Sequence, residues 1–412
     1  MKNRQAQLRQ GWELKRLGDV CVFGNGLWSG KKPPFQRVGV IRNTNFTNDG
    51  RLDDADIVYL EVEKSQFEKR KLQYGDIILE KSGGGPKQPV GRVIIFDKKE
   101  GDFSFSNFTS VIRISDPKIF DFNYLHRFLF FSYISGKTEK MQSYSTGIRN
   151  LKFDEYKNIV IPIPPLKEQQ RIVSILDETF ASIAKAKANA EQNLKNTKEL
   201  FESYLHSVFA NKGEGWVMVK LSELALNISD GDHMPPPKTK SGIPFITISN
   251  INKENYQIDF SDTFTVSQEY FQKLKKNRKP RKGDLLYTVT GSYGIPVLIE
   301  TNKDFCFQRH IGLIRPKENI NSKWLFYWVL SPQALAQAND KATGTAQKTV
   351  SLNVLRNFNV PKMTIIQQQS IVQKVDALST ECKKLKSIYQ QKINDLEELK
   401  KSILQKAFNS EL

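Results

Sequence analysis

Residues Ile161–Asp177 read IPIPPLKEQQRIVSILD, and residues Phe358–Leu378 read FNVPKMTIIQQQSIVQKVDAL. Each is an extended, proline-bearing segment that turns abruptly into an amphipathic helix, because proline cannot sit in a helix interior whereas the apolar residues that follow recur at helical spacing. Gln169-Gln170 is matched by Gln368-Gln369 and Ile172-Val173 by Ile371-Val372; 371 minus 172 is 199, as is 368 minus 169. A junction written twice implies that what it joins is also written twice.

Working outward, the repeat extends over the chain. GWELKRLGDVC at Gly11 answers GWVMVKLSELAL at Gly215, YGDIILEKSGGG at Tyr74 answers KGDLLYTVTGSYG at Lys282, and STGIRNL at Ser145 answers ATGTAQKTVSL at Ala342. ELFESYLHSVFAN at Glu199 answers ELKKSILQKAFNS at Glu398, again by 199 (398 minus 199). The offset wanders through the first part of each half and is constant through the last part. Insertions are therefore tolerated in one region and excluded from the other.

The constant region reads as a long helix with a heptad seam. Ile172, Thr179, Ala186, Asn193 and Leu200 form one row and Leu176, Ile183, Ala190, Thr197 and Tyr204 the next. The second copy places Ile371, Leu378, Leu385, Lys392, Leu399 and Val375, Cys382, Tyr389, Leu396, Ile403 at the same phases. Matching seams predict that the two helices pack on one another, and connectivity makes the pair antiparallel with a globular domain at each end. About 40 residues at ~1.5 Å each would make a spacer of roughly 60 Å.

In the variable regions, β-rich runs (RVGVIR, GDIILEK, GRVIIFD, TSVIRIS; then IPFITIS, GDLLYTV, IPVLIE, HIGLIRP) alternate with Gly, Asn, Asp and Pro turns and end in aromatic helices, YLHRFLFFSYIS and NSKWLFYWVLS. Those aromatics read as core. The predicted fold is α+β: mixed α/β domains at 1–165 and 212–362, helices at 166–211 and 363–412, and pseudo-twofold symmetry between the halves.

Net charge is +18 with a pI near 9.5, which points to a polyanion and to nucleic acid first. MKNRQAQLRQGWELKRL lacks a signal-peptide core and no apolar run approaches a membrane span, so a cytoplasmic location is expected. Three scattered cysteines, Cys21, Cys306 and Cys382, make neither a disulfide framework nor a structural zinc site. Chemistry is not visible either. SGGGPKQPVG lacks the Lys-Ser/Thr of a phosphate loop, Lys32 in KPPF offers no acceptor oxygen for a target amine, DGDH at Asp230–His233 reads as a turn, and no histidines are paired. No catalytic and no metal residues are expected.

The two halves, the PPLKEQQRIVSILD junction with its IIQQQSIVQKVDAL echo, and the GW openings resemble the specificity subunit of type I restriction-modification systems over nearly the whole chain. The resemblance implies two target recognition domains, each reading one half of a split asymmetric DNA site, and two helices whose starts dock methyltransferase subunits, two in number, with restriction subunits as further partners. Methyl donor, ATP and magnesium would belong to those partners, leaving this chain without cofactor. The competing readings are a DNA methyltransferase or nuclease with its own fused specificity domains, disfavoured by the missing motifs, and a coiled-coil scaffold, disfavoured by charge.

A twofold protein approaches DNA with equivalent faces, so candidate contacts lie at corresponding loops. In the first half these are Arg42, Asn43, Thr44 and Asn45; Lys81, Ser82 and Lys87; and Tyr144, Ser145, Thr146, Gly147 and Arg149. In the second they are Thr247, Ser249 and Asn250; Thr290, Ser292 and Tyr293; Gln308 and Arg309; and Thr343, Gly344, Thr345, Gln347 and Lys348. Arg grips guanine and Asn or Gln adenine by two bonds, whereas Ser, Thr and Lys more often hold phosphate.

Overall fold

A computed structural model describes residues 10–27, 32–85, 88–145, 147–210, 213, 215–232, 236–345 and 347–412. The chain divides into two compact units: residues up to Ala190 with Gln391–Leu412, and Glu191–Gln390. Each unit thus takes one recognition domain and parts of both long helices, Leu166–Ala210 and Ile365–Phe408.

In the first unit, an antiparallel four-stranded sheet runs in the order Cys21–Asn25, Thr109–Ile114, Ile77–Glu80, Val93–Ile95. Ile77, Ile78, Leu79, Ile94 and Ile112 are buried, as expected for strands covered on both faces. A second sheet pairs Phe35–Ile41 antiparallel with Val58–Glu63 and parallel with Phe103–Phe105. Arg113 clamps Asp76 at 2.6–2.7 Å across the first sheet. The aromatic helix Phe122–Ile134 is capped by Asp121, whose carboxylate accepts from the Tyr124 amide at 2.9 Å. Its buried Tyr124, Phe128, Leu129 and Phe131 pack with Ile172 and Leu176 from the start of the first long helix and Leu404, Ala407 and Phe408 from the end of the second. Phe408 lies 5.2 Å from Phe128 and 5.4 Å from Tyr124, edge-on to both. Lys187 meets Glu397 at 2.5 Å, so in this unit residue numbers rise along one helix as they fall along the other.

The second unit repeats this construction. Its four-stranded sheet runs Ala225–Asp230, Ile311–Pro316, Leu285–Thr288, Pro296–Leu298. Ile243–Ile246 pairs antiparallel with Phe264–Val266 and parallel with Cys306–Phe307, and Arg315 clamps Asp284 at 2.7 Å. The helix Ser322–Leu330 buries Trp324, Leu325, Tyr327 and Trp328 against Leu205, Phe209 and Val375. The aromatic helices are therefore core, and each domain receives the start of its own long helix and the end of the other.

One heptad row holds and the other shifts: Leu176, Ile183, Ala190, Thr197 and Tyr204, and Val375, Cys382, Tyr389, Leu396 and Ile403, are buried or half-buried throughout, whereas the row through Ile172 and Ile371 moves by one residue partway along. Asn193, Leu200, Lys392 and Leu399 face solvent, and Leu194, Phe201, Ile393 and Lys400 are the half-buried residues there. Alongside the retained row, burial also recurs at Ile183, Leu194, Leu205 and at Cys382, Ile393, Leu404, steps of 11 residues (194 minus 183; 393 minus 382). A heptad row drifts roughly 20° per repeat on a straight helix, so a stripe kept on one face steps by 11, and both copies make the shift at the same place.

Candidate nucleic-acid interface

The same backbone frame carries the candidate loops in both units. In the first, Ser106 N donates to Ile41 O at 2.9 Å, Lys81 N and Ser82 N to Phe108 O at 3.0 and 3.2 Å, and Leu151 N to Lys81 O at 2.8 Å. In the second, Gln308 N donates to Ile246 O at 3.0 Å, Val289 N to His310 O at 2.9 Å, and Val350 N to Val289 O at 2.8 Å. Four chain segments converge on one edge of each domain. Gly26 and Gly231 make the approach possible: a Cβ there would stand 1.9 Å from the carbonyl oxygens of Ser106 and Phe307 respectively.

On the first frame, Arg42 is held by Asp56 at 3.0 Å, Thr44 is exposed, and Asn43 donates to Ser82 O at 2.8 Å. Lys81 reaches Asn25 Oδ1 at 2.7 Å, and burial lowers its pKa; Ser82 Oγ donates to Asn150 at 2.5 Å. Strands Gln142–Ser145 and Ile148–Leu151 form a hairpin that joins Ser82–Gly84, with Tyr144 opposite Arg149. Tyr144 is 72% exposed, the Arg149 guanidinium lies 5.2 Å from its ring centroid, and Gly147 takes the positive φ of 82° that the turn requires. Lys87 and Thr146 lie outside the described residues, as does the side chain of Ser145.

On the second frame the hairpin is replaced by a loop closed by paired bonds between Thr343 and Thr349 at 3.0 and 2.7 Å. It presents Thr343, Gly344, Thr345, Gln347 and Lys348 to solvent, beside exposed Ser292. Tyr293 is tied to Asn339 at 2.9 Å, and Thr247 and Ser249 share a hydroxyl bond of 2.7 Å. Gln308 is half-buried and Arg309 exposed. Burial and then the Arg309 charge lower the pKa of His310 from its ordinary value.

Three candidates are interior. Asn45 accepts from Arg42 N at 2.9 Å and donates to Asp53 O at 3.2 Å; Asn250 accepts from Thr247 N at 2.9 Å and donates to Asp262 O at 2.8 Å. Both close the same turn in the two copies, with their side chains buried and their amides bonded to backbone. Thr290 is buried against Thr349.

The family model for the type I restriction modification DNA specificity domain matches residues 9–195 and again 213–398. The chain belongs to this family. It is 26% identical over 434 aligned positions to the type I restriction enzyme EcoKI specificity subunit of Escherichia coli strain K12, covering 98% of this chain and 90% of that one. It is 25% identical over 294 positions to the EcoBI specificity subunit of Escherichia coli, covering 65% of this chain and 61% of that relative's length. Its fold is that of the HsdS subunit from Thermoanaerobacter tengcongensis, at TM-score 0.61 and 20% identity with both chains fully covered. It also matches a chain from a structure of type I system assembly and conformational transition, at TM-score 0.76 and 20% identity over 98% of this chain and 100% of that one. These relatives are named specificity subunits of restriction enzymes, and the chain is likewise a specificity component, not the enzyme itself.

In this specificity chain the duplicated glutamines divide into two kinds. Gln169 is fully buried: its Oε1 accepts from Asp121 N at 2.8 Å, and its Nε2 donates to Ile119 O at 2.9 Å and Pro164 O at 2.7 Å. Gln368 accepts from Asn321 N at 2.8 Å and donates to Met363 O at 3.1 Å. Each ties the start of a long helix to the N-cap residue of its domain's aromatic helix, so the inner glutamine of each pair is a fastening, and Gln170 and Gln369 are the exposed ones.

Sequence reading missed Asn107 and Phe108, which occupy on the first frame the places of Arg309 and His310 on the second; both are exposed. The signal was present. Aligning the clamping arginines (315 minus 113 is 202) sets SNF of FSNFTSVIRI against QRH of FQRHIGLIRP.

Proposed function

We propose that this chain reads a bipartite, asymmetric double-stranded DNA site, one half per recognition domain, and brings methyltransferase and restriction subunits to it. The observation that carries this reading is the pair of converging loop faces: one backbone frame, built twice, whose exposed side chains differ. Tyr144, Ile148 and Arg149 stand on one frame where Thr343, Gln347 and Lys348 stand on the other. A conserved frame with diverged side chains suits two domains that approach DNA alike and read different bases. The net charge of +18 supplies the phosphate attraction.

We also read the two long helices as an antiparallel pair relating the halves by a pseudo-twofold axis and setting the distance between half-sites. The exchange of helix ends between domains and the common 11-residue stripe support this. The helix starts, with Gln170 and Gln369 exposed, would each dock one methyltransferase subunit, and methyl donor, ATP and magnesium would be bound by the partner subunits. A cytoplasmic location suits such a complex, and among the described residues no helix is long and apolar enough to cross a membrane.

The test is a methylation assay with labelled donor. The purified chain alone should modify nothing, and the same chain with methyltransferase partners should modify a split motif. Donor-dependent methylation by the isolated chain would overturn the assignment in favour of an enzyme with fused specificity domains.

A further inference from the structure

Arginine reads guanine only when its guanidinium is not already held, and on these two faces most are. Arg42 is held by Asp56, Arg92 by Glu80 at 2.7 Å and Arg51 by Asp49 at 3.3 Å in the first domain; Arg278 is held by Asp230 at 3.0 Å in the second. Arg149 and Arg309 differ. No carboxylate or carbonyl among the described residues takes either guanidinium. Arg149 is instead laid against the Tyr144 ring, 5.2 Å from its centroid, on the exposed hairpin. With the cation over a ring face and no acceptor among the described residues on its N–H groups, the guanidinium fork is open to make two bonds to guanine O6 and N7. A two-stranded ribbon fits the major groove, where those atoms lie. Arg309 lies exposed in the turn just before the strand Ile311–Pro316, with its backbone N–H donating to Asp232 O at 2.9 Å.

The two do not correspond in the repeat. The counterpart of Arg149 is Lys348 (348 minus 149 is 199), and the counterpart of Arg309 is Asn107 (309 minus 107 is 202). Resting on the bipartite reading above, we propose that each half-site contains a guanine read in the major groove, by Arg149 in the half bound by the first domain and by Arg309 in the other, at different depths within the two halves. Tyr144 is a positioning residue that holds the Arg149 fork.

The experiment uses the full chain in complex with its methyltransferase partners. Its motif is read by sequencing methylated bases, and binding is then measured on duplexes in which each motif guanine in turn is replaced by 7-deazaguanine, which lacks N7. One guanine per half should weaken binding by the wild-type complex. Arg149→Ala should abolish sensitivity in one half alone and relax base choice there by roughly 5- to 150-fold, Arg309→Ala should do so in the other half, and Tyr144→Phe should retain what Tyr144→Ala loses. A motif that is not split removes the underlying reading and this inference with it. A split motif with a guanine-free half, or one indifferent to 7-deazaguanine throughout, overturns this inference alone and needs no variant to fold.

Discussion

Replacing Gln169 by alanine would test the junction most severely. The side chain makes three bonds from a fully buried position, to the amide of Asp121 and the carbonyls of Ile119 and Pro164. Each is worth about 1 kcal/mol net, and leaving a buried donor or acceptor unmet costs about 1–3 kcal/mol, so the loss should be roughly 3–5 kcal/mol. Gln368 makes two such bonds, and Gln368→Ala should cost about 2–3 kcal/mol on the same scale. Gln170→Ala and Gln369→Ala, one residue along and exposed, should stay within about 0.5 kcal/mol of wild type. The assay is urea unfolding joined to amide exchange, read at Asp121–Tyr124 for the first junction and Asn321–Trp324 for the second, so that each loss is localised. If Gln169→Ala unfolds with wild-type midpoint and wild-type protection of the Asp121 amide, the glutamine is no fastening and the reason given for the repeated junction fails.

Further outcomes are expected. Asp284→Ala leaves the buried Arg315 guanidinium unpaired and should destabilise the second domain by roughly 3–5 kcal/mol in chemical unfolding, more than Asp76→Ala, because Arg113 is the more exposed arginine of the two clamps. Lys400 sits in the helix stripe over Phe130 and Phe180, and burial lowers its pKa, so its charged form is disfavoured on folding. Lys400→Met should therefore raise Tm near neutral pH; because wild type gains stability between the lowered folded pKa and the higher unfolded one, the gap should narrow at alkaline pH, and a gap independent of pH would refute the cause. Lys348→Ala should flatten the log–log salt dependence of DNA binding by about 0.9 without altering the preferred motif; a changed motif would place Lys348 on a base. Inserting 11 residues after Ala190 and after Tyr389 keeps the stripe in phase and lengthens each helix by ~16 Å, so both half-sites should persist with a gap longer by about five base pairs, and modification at the original spacing would refute the ruler.

Much of the architecture was legible because duplication doubles every signal. The strand runs, the aromatic helices as core, and the proline-to-helix junction each appear twice with the same local chemistry. Of the two heptad rows, the one through Ile183, Ala190 and Thr197 stays buried, and the one through Asn193 and Lys392 is displaced by one position because a 3.5-residue row drifts on a 3.6-residue helix. Leu194 and Phe201, apolar and one place on, were the correcting signal. The interface was legible as loops but not as residues. Asn45 and Thr44 are equally plausible base readers in a string of letters; only the turn decides that the Asn45 amide is consumed by Arg42 and Asp53. Arg42 and Arg149 likewise differ through Asp56, which lies 14 residues from Arg42 (56 minus 42) and comes within reach only when the strands pair.

The claim that two diverged domains read two halves of one site is tested most directly by sequencing the methylated bases gained by cells that co-express this chain with its methyltransferase partners, against cells carrying the partners alone. The account predicts one gained motif, split by unspecified bases into two different halves. A contiguous motif, or a split motif with identical inverted halves, would contradict it.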